Sequence, residues 1–143
     1  MLLGSCGPEA GAELATYQRI NSIREESGVP ALRPDATLVR IARARSEDMA
    51  SNGYFGHVPR DGCDYTCMMA RDGISYAYAG ETIAWNTFDW AHTPRVAVDT
   101  WAASPEHHAT MVNCHYERFG TGVAVSADGR VYFTTIYEGS ASC

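Results

Sequence analysis

The chain has 143 residues, 45% of them apolar and 20% charged, and carries a net charge of −6. This is ordinary globular composition for one domain, able to bury roughly 68–70% of its unfolded surface; the acidity argues against a nucleic-acid partner, and no apolar run approaches the ~18 residues of a membrane span. All eleven basic residues are Arg, which excludes Schiff-base, pyridoxal-phosphate and P-loop lysine chemistry.

Residues 1–7 read as a leader remnant or disordered terminus. Leu2-Leu3-Gly4-Ser5-Cys6-Gly7 looks like the tail of a bacterial lipoprotein signal, without its basic and apolar regions. Residues 8–143 read as a single domain. Five cysteines in so short a chain suggest an oxidising compartment. Cys6 is the odd one, and a lipid anchor there is the expected route to a membrane. Cys63, Cys67, Cys114 and Cys143 allow three pairings, which the sequence leaves open; no Cys-x-x-Cys exists to suggest a zinc ribbon.

A first helix is predicted from Pro8 or Glu9 to Ser27, with proline at its first turn and Gly28 past its end. Leu14, Tyr17, Ile20 and Ile23 step at threes and predict a buried stripe. Asp35 is the expected N-cap of a second helix, with Leu38, Ile41, Ala42, Arg45 and Met49 on one face and an end near Asn52-Gly53. Tyr54-Phe55-Gly56-His57 follows. A third helix runs from about Asp64 to Arg71. Residues 80–85 alternate as a strand, with Glu81, Ile83 and Trp85 on one face. Thr93-Pro94 and Ser104-Pro105 each predict a helix start, an N-cap followed by proline at the first helical position, the second helix running through Val112. Residues 122–126 and 130–137 are strands joined by Ala127-Asp128-Gly129, a hairpin signal. Helices segregated from strands favour an α+β fold over a doubly wound sheet.

Three places can carry chemistry. His57 follows an aromatic pair. Glu81 lies inside a strand, where a lone buried carboxylate is costly. Ser104-Pro105-Glu106-His107-His108 opens a helix, with Ser104 expected as a capping acceptor and His107 near the positive end of the dipole, where neutral imidazole is favoured. Each has a structural explanation when taken alone: a satisfied histidine, an Arg-paired glutamate, a helix cap. Glu106 and His108 point elsewhere on that helix, and His92 and His115 read as surface loop residues.

The order of these pieces carries more. An Asn21-x-x-Arg24 helix precedes aromatic-Gly-His57, then Gly80-Glu81-Thr82-Ile83-Ala84, then Trp101-x-x-Ser104-Pro105-Glu106-His107, then Gly120-x-Gly122-Val123-Ala124 and a hairpin. This order resembles the CAP superfamily of cysteine-rich secretory proteins, venom antigens and pathogenesis-related proteins, and most of all its bacterial SCP-type extracellular branch. The resemblance spans residues 14–137. It implies a three-layer α-β-α sandwich with a small antiparallel sheet between helical layers. It also implies a cleft containing His57, Glu81 and His107. Two departures stand out: Thr82 where the family often has Asn, and Ser104 where eukaryotic members carry a second Glu.

The resemblance implies a secreted or surface-attached protein. Three functions follow. The first is a non-catalytic binding module, expected as a monomer, for a small apolar, lipid- or sterol-like ligand, using the cleft of His57, Glu81, Ser104 and His107. Tyr76, Tyr78, Trp85, Phe88 and Trp90 supply aromatic surface, although at least half of them are expected in core and loop packing. The second is a weak divalent-metal site, zinc or calcium, at His57, His107 and Glu81. The alternative is a metal-dependent hydrolase in the same cleft. Ser104 is discounted as its nucleophile because a capping role would occupy the hydroxyl, and no Gly-x-Ser-x-Gly elbow exists.

Overall fold

The computed structural model describes residues 7–143. The reading of Met1–Cys6, including a lipid anchor at Cys6, lies outside the described residues. Nine elements follow in chain order: α1 (Pro8–Glu26), β1 (Arg33–Pro34), α2 (Ala36–Asn52), α3 (Tyr65–Arg71), β2 (Tyr78–Asn86), α4 (Thr93–Ala103), α5 (Pro105–Met111), β3 (Arg118–Val125) and β4 (Val131–Gly139). The strands form one sheet in the order β1-β3-β4-β2. Its central pairings are antiparallel, and only the two-residue β1, which the sequence did not signal, lies parallel to β3.

Alternation along the strands sends side chains to two helical layers. Phe119, Val123, Phe133 and Tyr137 pack with α1, α4 and α5 around Ile20, Val98, Trp101 and Met111. On the other face, Ile136 meets Leu38, Ile41 and Ala42 of α2 and Met69 of α3, while Ile83 and Tyr132 meet Met49. The fold is therefore the expected α-β-α sandwich. Gly120 and Gly122 permit its closest contact: a Cβ at either position would overlap the backbone of α2. Two glycines two residues apart share one strand face, and their missing side chains let the α2 backbone approach the sheet closely there.

Local signals set most boundaries. The Asp35 side chain accepts from the Leu38 N–H at 3.0 Å, and Gly53 ends α2 at φ +66°. Asp64 likewise accepts from the Cys67 N–H at 3.0 Å. Two expectations are corrected. Leu14 is 57% exposed, and the buried residues of α1 are Ala12, Glu13, Thr16, Ile20, Ile23 and Arg24. Steps of three fall about 60° short of a full turn, so Leu14 and Ile23 come to opposite sides. Thr93 does not cap α4; its hydroxyl donates to Asn86 Oδ1 at 2.5 Å, and His92 holds the cap position.

The pairings left open are Cys63–Cys67 and Cys114–Cys143. The Asn21-x-x-Arg24 motif joins the end of α1 to its surroundings. Asn21 exchanges both amide bonds with the Leu32 backbone, at 3.0 and 2.8 Å. The fully buried Arg24 donates to the carbonyls of Pro30, Met111 and Asn113 at 2.8, 2.7 and 2.9 Å.

Candidate functional site

The α2 periodicity turns Arg45 inward, and the β2 alternation turns Glu81 toward α2. The two meet across 36 residues of sequence. Arg45 Nε donates to Glu81 Oε2 at 2.9 Å, and Nη2 reaches Glu81 Oε1 at 3.3 Å. The rest of the guanidinium holds the segment after α2: Nη2 donates to the Gly56 carbonyl at 2.5 Å and Nη1 to Tyr54 Oη at 3.0 Å. Tyr54 in turn donates to Asp48. Burial and this hydrogen bond push the Tyr54 phenol up to about 12. The aromatic pair ahead of His57 is thus anchored through Arg45.

His57 lies 2.7 Å from Glu81 Oε1 through Nδ1. The Arg45 and Glu81 side chains are 1% and 0% exposed, whereas that of His57 is 53% exposed. A buried ion pair therefore grips one edge of a half-exposed imidazole, and its Nε2 edge makes no hydrogen bond to the described residues. The Glu81 hydrogen bond raises the His57 pKa above the ordinary 6.5, against burial and the Arg45 charge, which lower it. A raised folded-state pKa means the interaction stabilises most below the unfolded value and fades as pH rises through the folded one. A proton NMR titration should place the His57 midpoint above 6.5 in the wild type and lower in Glu81→Gln. A wild-type midpoint at or below 6.5 would contradict the assignment.

His107 is half-buried at the third position of α5. Its helix packs on β2 beside Glu81: at Gly80, a Cβ would overlap Tyr116 Oη and lie 3.1 Å from Thr110 Cγ2, one turn beyond His107. The His107 Nδ1 atom is buried without a hydrogen-bond partner. His107 makes no hydrogen bond to His57 or Glu81, and the donor atoms of the three do not all lie within 4.8 Å of one another. Ser104 corrects its expectation. Its backbone is extended at the N-cap of α5, but its side chain makes no capping bond. The capping argument against a serine nucleophile therefore falls. A geometric one replaces it, since no base among the described residues lies within hydrogen-bond reach of the hydroxyl.

Arg45 was legible only as a residue of the buried helix face. A buried Arg and a strand Glu, each needing a partner, were the signal that could have joined them. Tyr76, Tyr78, Trp85, Phe88 and Trp90 are all 38–55% exposed, so none lies in the core, and Phe55 and Val58, on either side of His57, are 49% and 62% exposed. Trp85 lies beneath Arg130, whose guanidinium carbon is 4.3 Å from the ring centroid.

The sequence model of the Cysteine-rich secretory protein family, CAP, matches residues 17–137. The chain belongs to the CAP family. It is 36% identical over 115 residues to the protein YkwD of Bacillus subtilis (strain 168), covering 80% of this chain and 43% of YkwD. Among solved structures, it resembles an extracellular SCP-domain protein from Bacillus anthracis str. Ames at TM-score 0.79 and 23% identity, covering 92% of this chain and 41% of that one. It also resembles an outer surface protein of Borrelia burgdorferi at TM-score 0.79 and 18% identity, covering 92% of this chain and 94% of that one. The CAP chain thus spans less than half of YkwD and of the Bacillus anthracis protein. Among the described residues, no helix is long and apolar enough to cross a membrane.

Proposed function

We propose that this CAP domain is an extracytoplasmic, non-catalytic binding module. Its His57 centre takes a divalent cation weakly, and the exposed aromatic surface takes a small apolar ligand of the lipid or sterol type. The observation that carries the reading is His57 itself, held through Nδ1 by a buried carboxylate with the other edge left free. Metal-ligating histidines are commonly oriented in this way, one nitrogen on a carboxylate and the other on the ion. Two imidazole donors support a zinc-class cation by their chemistry: His57 Nε2 has no hydrogen-bond partner among the described residues, and His107 Nδ1 is a buried atom in need of one. In this reading Glu81 orients His57, since both of its oxygens already accept hydrogen bonds. The cation would supply a Lewis acid when bound. Two histidines whose protons compete make a weak site, weaker still in acid because the His57 pKa is raised.

Zinc titration by calorimetry should show about one weak site in the wild type at pH 8 and weaker uptake at pH 6. His57→Ala with His107→Ala should abolish it; equal uptake by the variant would end the metal reading. The apolar half rests on the five aromatic residues between 76 and 90, each 38–55% exposed. Phe88→Ala with Trp90→Ala should weaken saturable binding of a fluorescent sterol or fatty-acid probe about tenfold or more. No binding by the wild type across such a panel would overturn this half.

The supporting geometry for a hydrolase is thinner. His57 and Glu81 form a base and its orienting group, but Ser104 bonds to neither. Ester turnover lost in His57→Ala and retained in Ser104→Ala would favour a water-based hydrolase.

A further inference from the structure

The arginines divide unevenly between partners. Seven of the eleven lie in ion pairs with carboxylates. Arg24 is spent on three backbone carbonyls. Arg33, Arg60 and Arg71 remain, with no carboxylate partner among the described residues, although acidic residues outnumber basic ones by 17 to 11. In so acidic a chain an uncompensated arginine is the exception, and two of these three line one cavity.

That cavity holds about 380 Å³ between the second half of α2, the loop that follows it and α3. Arg60 stands on the loop and Arg71 on the last turn of α3, both exposed at the rim. Arg60 Nη2 donates to the Asn52 carbonyl at 3.0 Å, which leaves most of its fork unused. Arg71 has neither hydrogen bond nor ion pair among the described residues. The other charged groups of the wall are committed. Arg45 is spent on Glu81, Tyr54 and the Gly56 carbonyl. Asp48 accepts from Asn52 Nδ2 at 2.7 Å and from Tyr54, and Asp61 Oδ1 accepts from the Cys63 N–H at 2.9 Å. Free polar capacity in this wall is therefore chiefly guanidinium N–H, which calls for a negatively charged acceptor.

The remaining wall is apolar, with buried Pro59 and Cys63 and half-buried Ala44 and Met68. A cavity of a few hundred Å³ with apolar walls and a few convergent polar groups is the usual form of a small-molecule site. The planar arginine fork matches a carboxylate through two parallel hydrogen bonds. Asp48 and Asp61 keep negative charge at the wall, so a monoanion is favoured over a phosphate dianion.

We propose that this cavity binds a small organic carboxylate, with Arg60 and Arg71 holding the carboxylate and Ala44, Pro59 and Met68 receiving its apolar body. The site lies on the α3 side of Arg45 and uses neither His57 nor His107.

The test is an NMR titration of the full, isotope-labelled chain with benzoate. Saturable binding is expected, with the amide shifts centred on residues 44–71. Arg60→Gln with Arg71→Gln should weaken it about tenfold or more, because charge-assisted bonds are lost, and should melt with the wild type, because both side chains are exposed. Arg33→Gln, which removes the third uncompensated arginine, should leave binding unchanged, as should His57→Ala with His107→Ala. Benzamide, of the same shape without the charge, should fail to bind, and phenyl phosphate should bind more weakly than benzoate. No saturable binding of benzoate, equal binding by the double arginine variant, equal binding of benzamide or tighter binding of phenyl phosphate would overturn the proposal. Should the double variant melt below the wild type, Arg71→Gln alone decides: it gives up no hydrogen bond within the described residues and must still weaken binding.

Discussion

Glu81→Ala is expected to destabilise the domain by ~3–5 kcal/mol, the range for removing one partner of a buried ion pair. The loss comes less from the missing attraction than from what stays behind. The Arg45 side chain is 1% exposed, and two of its donors would lose their carboxylate in a place water does not reach. With an m-value of about 1–3 kcal/mol/M, the urea midpoint should fall by more than about 1 M. Replacing both charges, as Arg45→Met with Glu81→Leu, should recover much of the loss, because no unpaired charge remains. His57 would lose its orienting partner in both variants, so cation uptake should fall in both while stability diverges. A loss below about 1 kcal/mol in Glu81→Ala would show that the pair is not the closed unit described here.

Arg24→Met should cost about 3 kcal/mol, read by the same denaturation. Two effects oppose each other. Among the described residues Arg24 has no carboxylate partner and its buried Nη2 no acceptor, and burial pushes its pKa down, so removing the charge relieves a desolvation penalty of several kcal/mol. Against this stand three charge-assisted bonds to carbonyls at 2.7–2.9 Å, each worth about 1.5–3 kcal/mol; without them the Pro30 and Met111 carbonyls lose their donor, while that of Asn113 keeps only the Tyr116 N–H at 3.3 Å. The second term wins, because acceptors on the loop after α1, at the end of α5 and just beyond it lose their donor together. Arg24→Lys should recover little, since a single ammonium cannot reproduce the fork that spans Pro30, Met111 and Asn113. An Arg24→Met protein as stable as wild type would mean that water replaces the guanidinium.

The chain's local chemistry determined its helices and hairpin. Asp35 and Asp64 cap because a side-chain oxygen meets an N–H three residues on, and Gly53 and Gly129 turn because they take positive φ, at 66° and 85°. Interactions of that range are written in neighbouring residues and can be read there. The order of motifs also pointed to the CAP fold and to His57, Glu81 and His107. Arg45 was visible on the buried face of α2 and Glu81 inside a strand, but nothing in sequence joined them. Their contact spans 36 residues, that of Glu81 with His57 spans 24, and that of Arg24 with the Met111 carbonyl spans 87. The choice among three disulfide pairings, the exposure of the aromatics after Gly73, the free hydroxyl of Ser104 and the meeting of Arg60 and Arg71 at one cavity were likewise decided in three dimensions. A partner is selected by which surfaces the packed layers bring face to face, and that depends on the whole sheet and its helices rather than on any one segment.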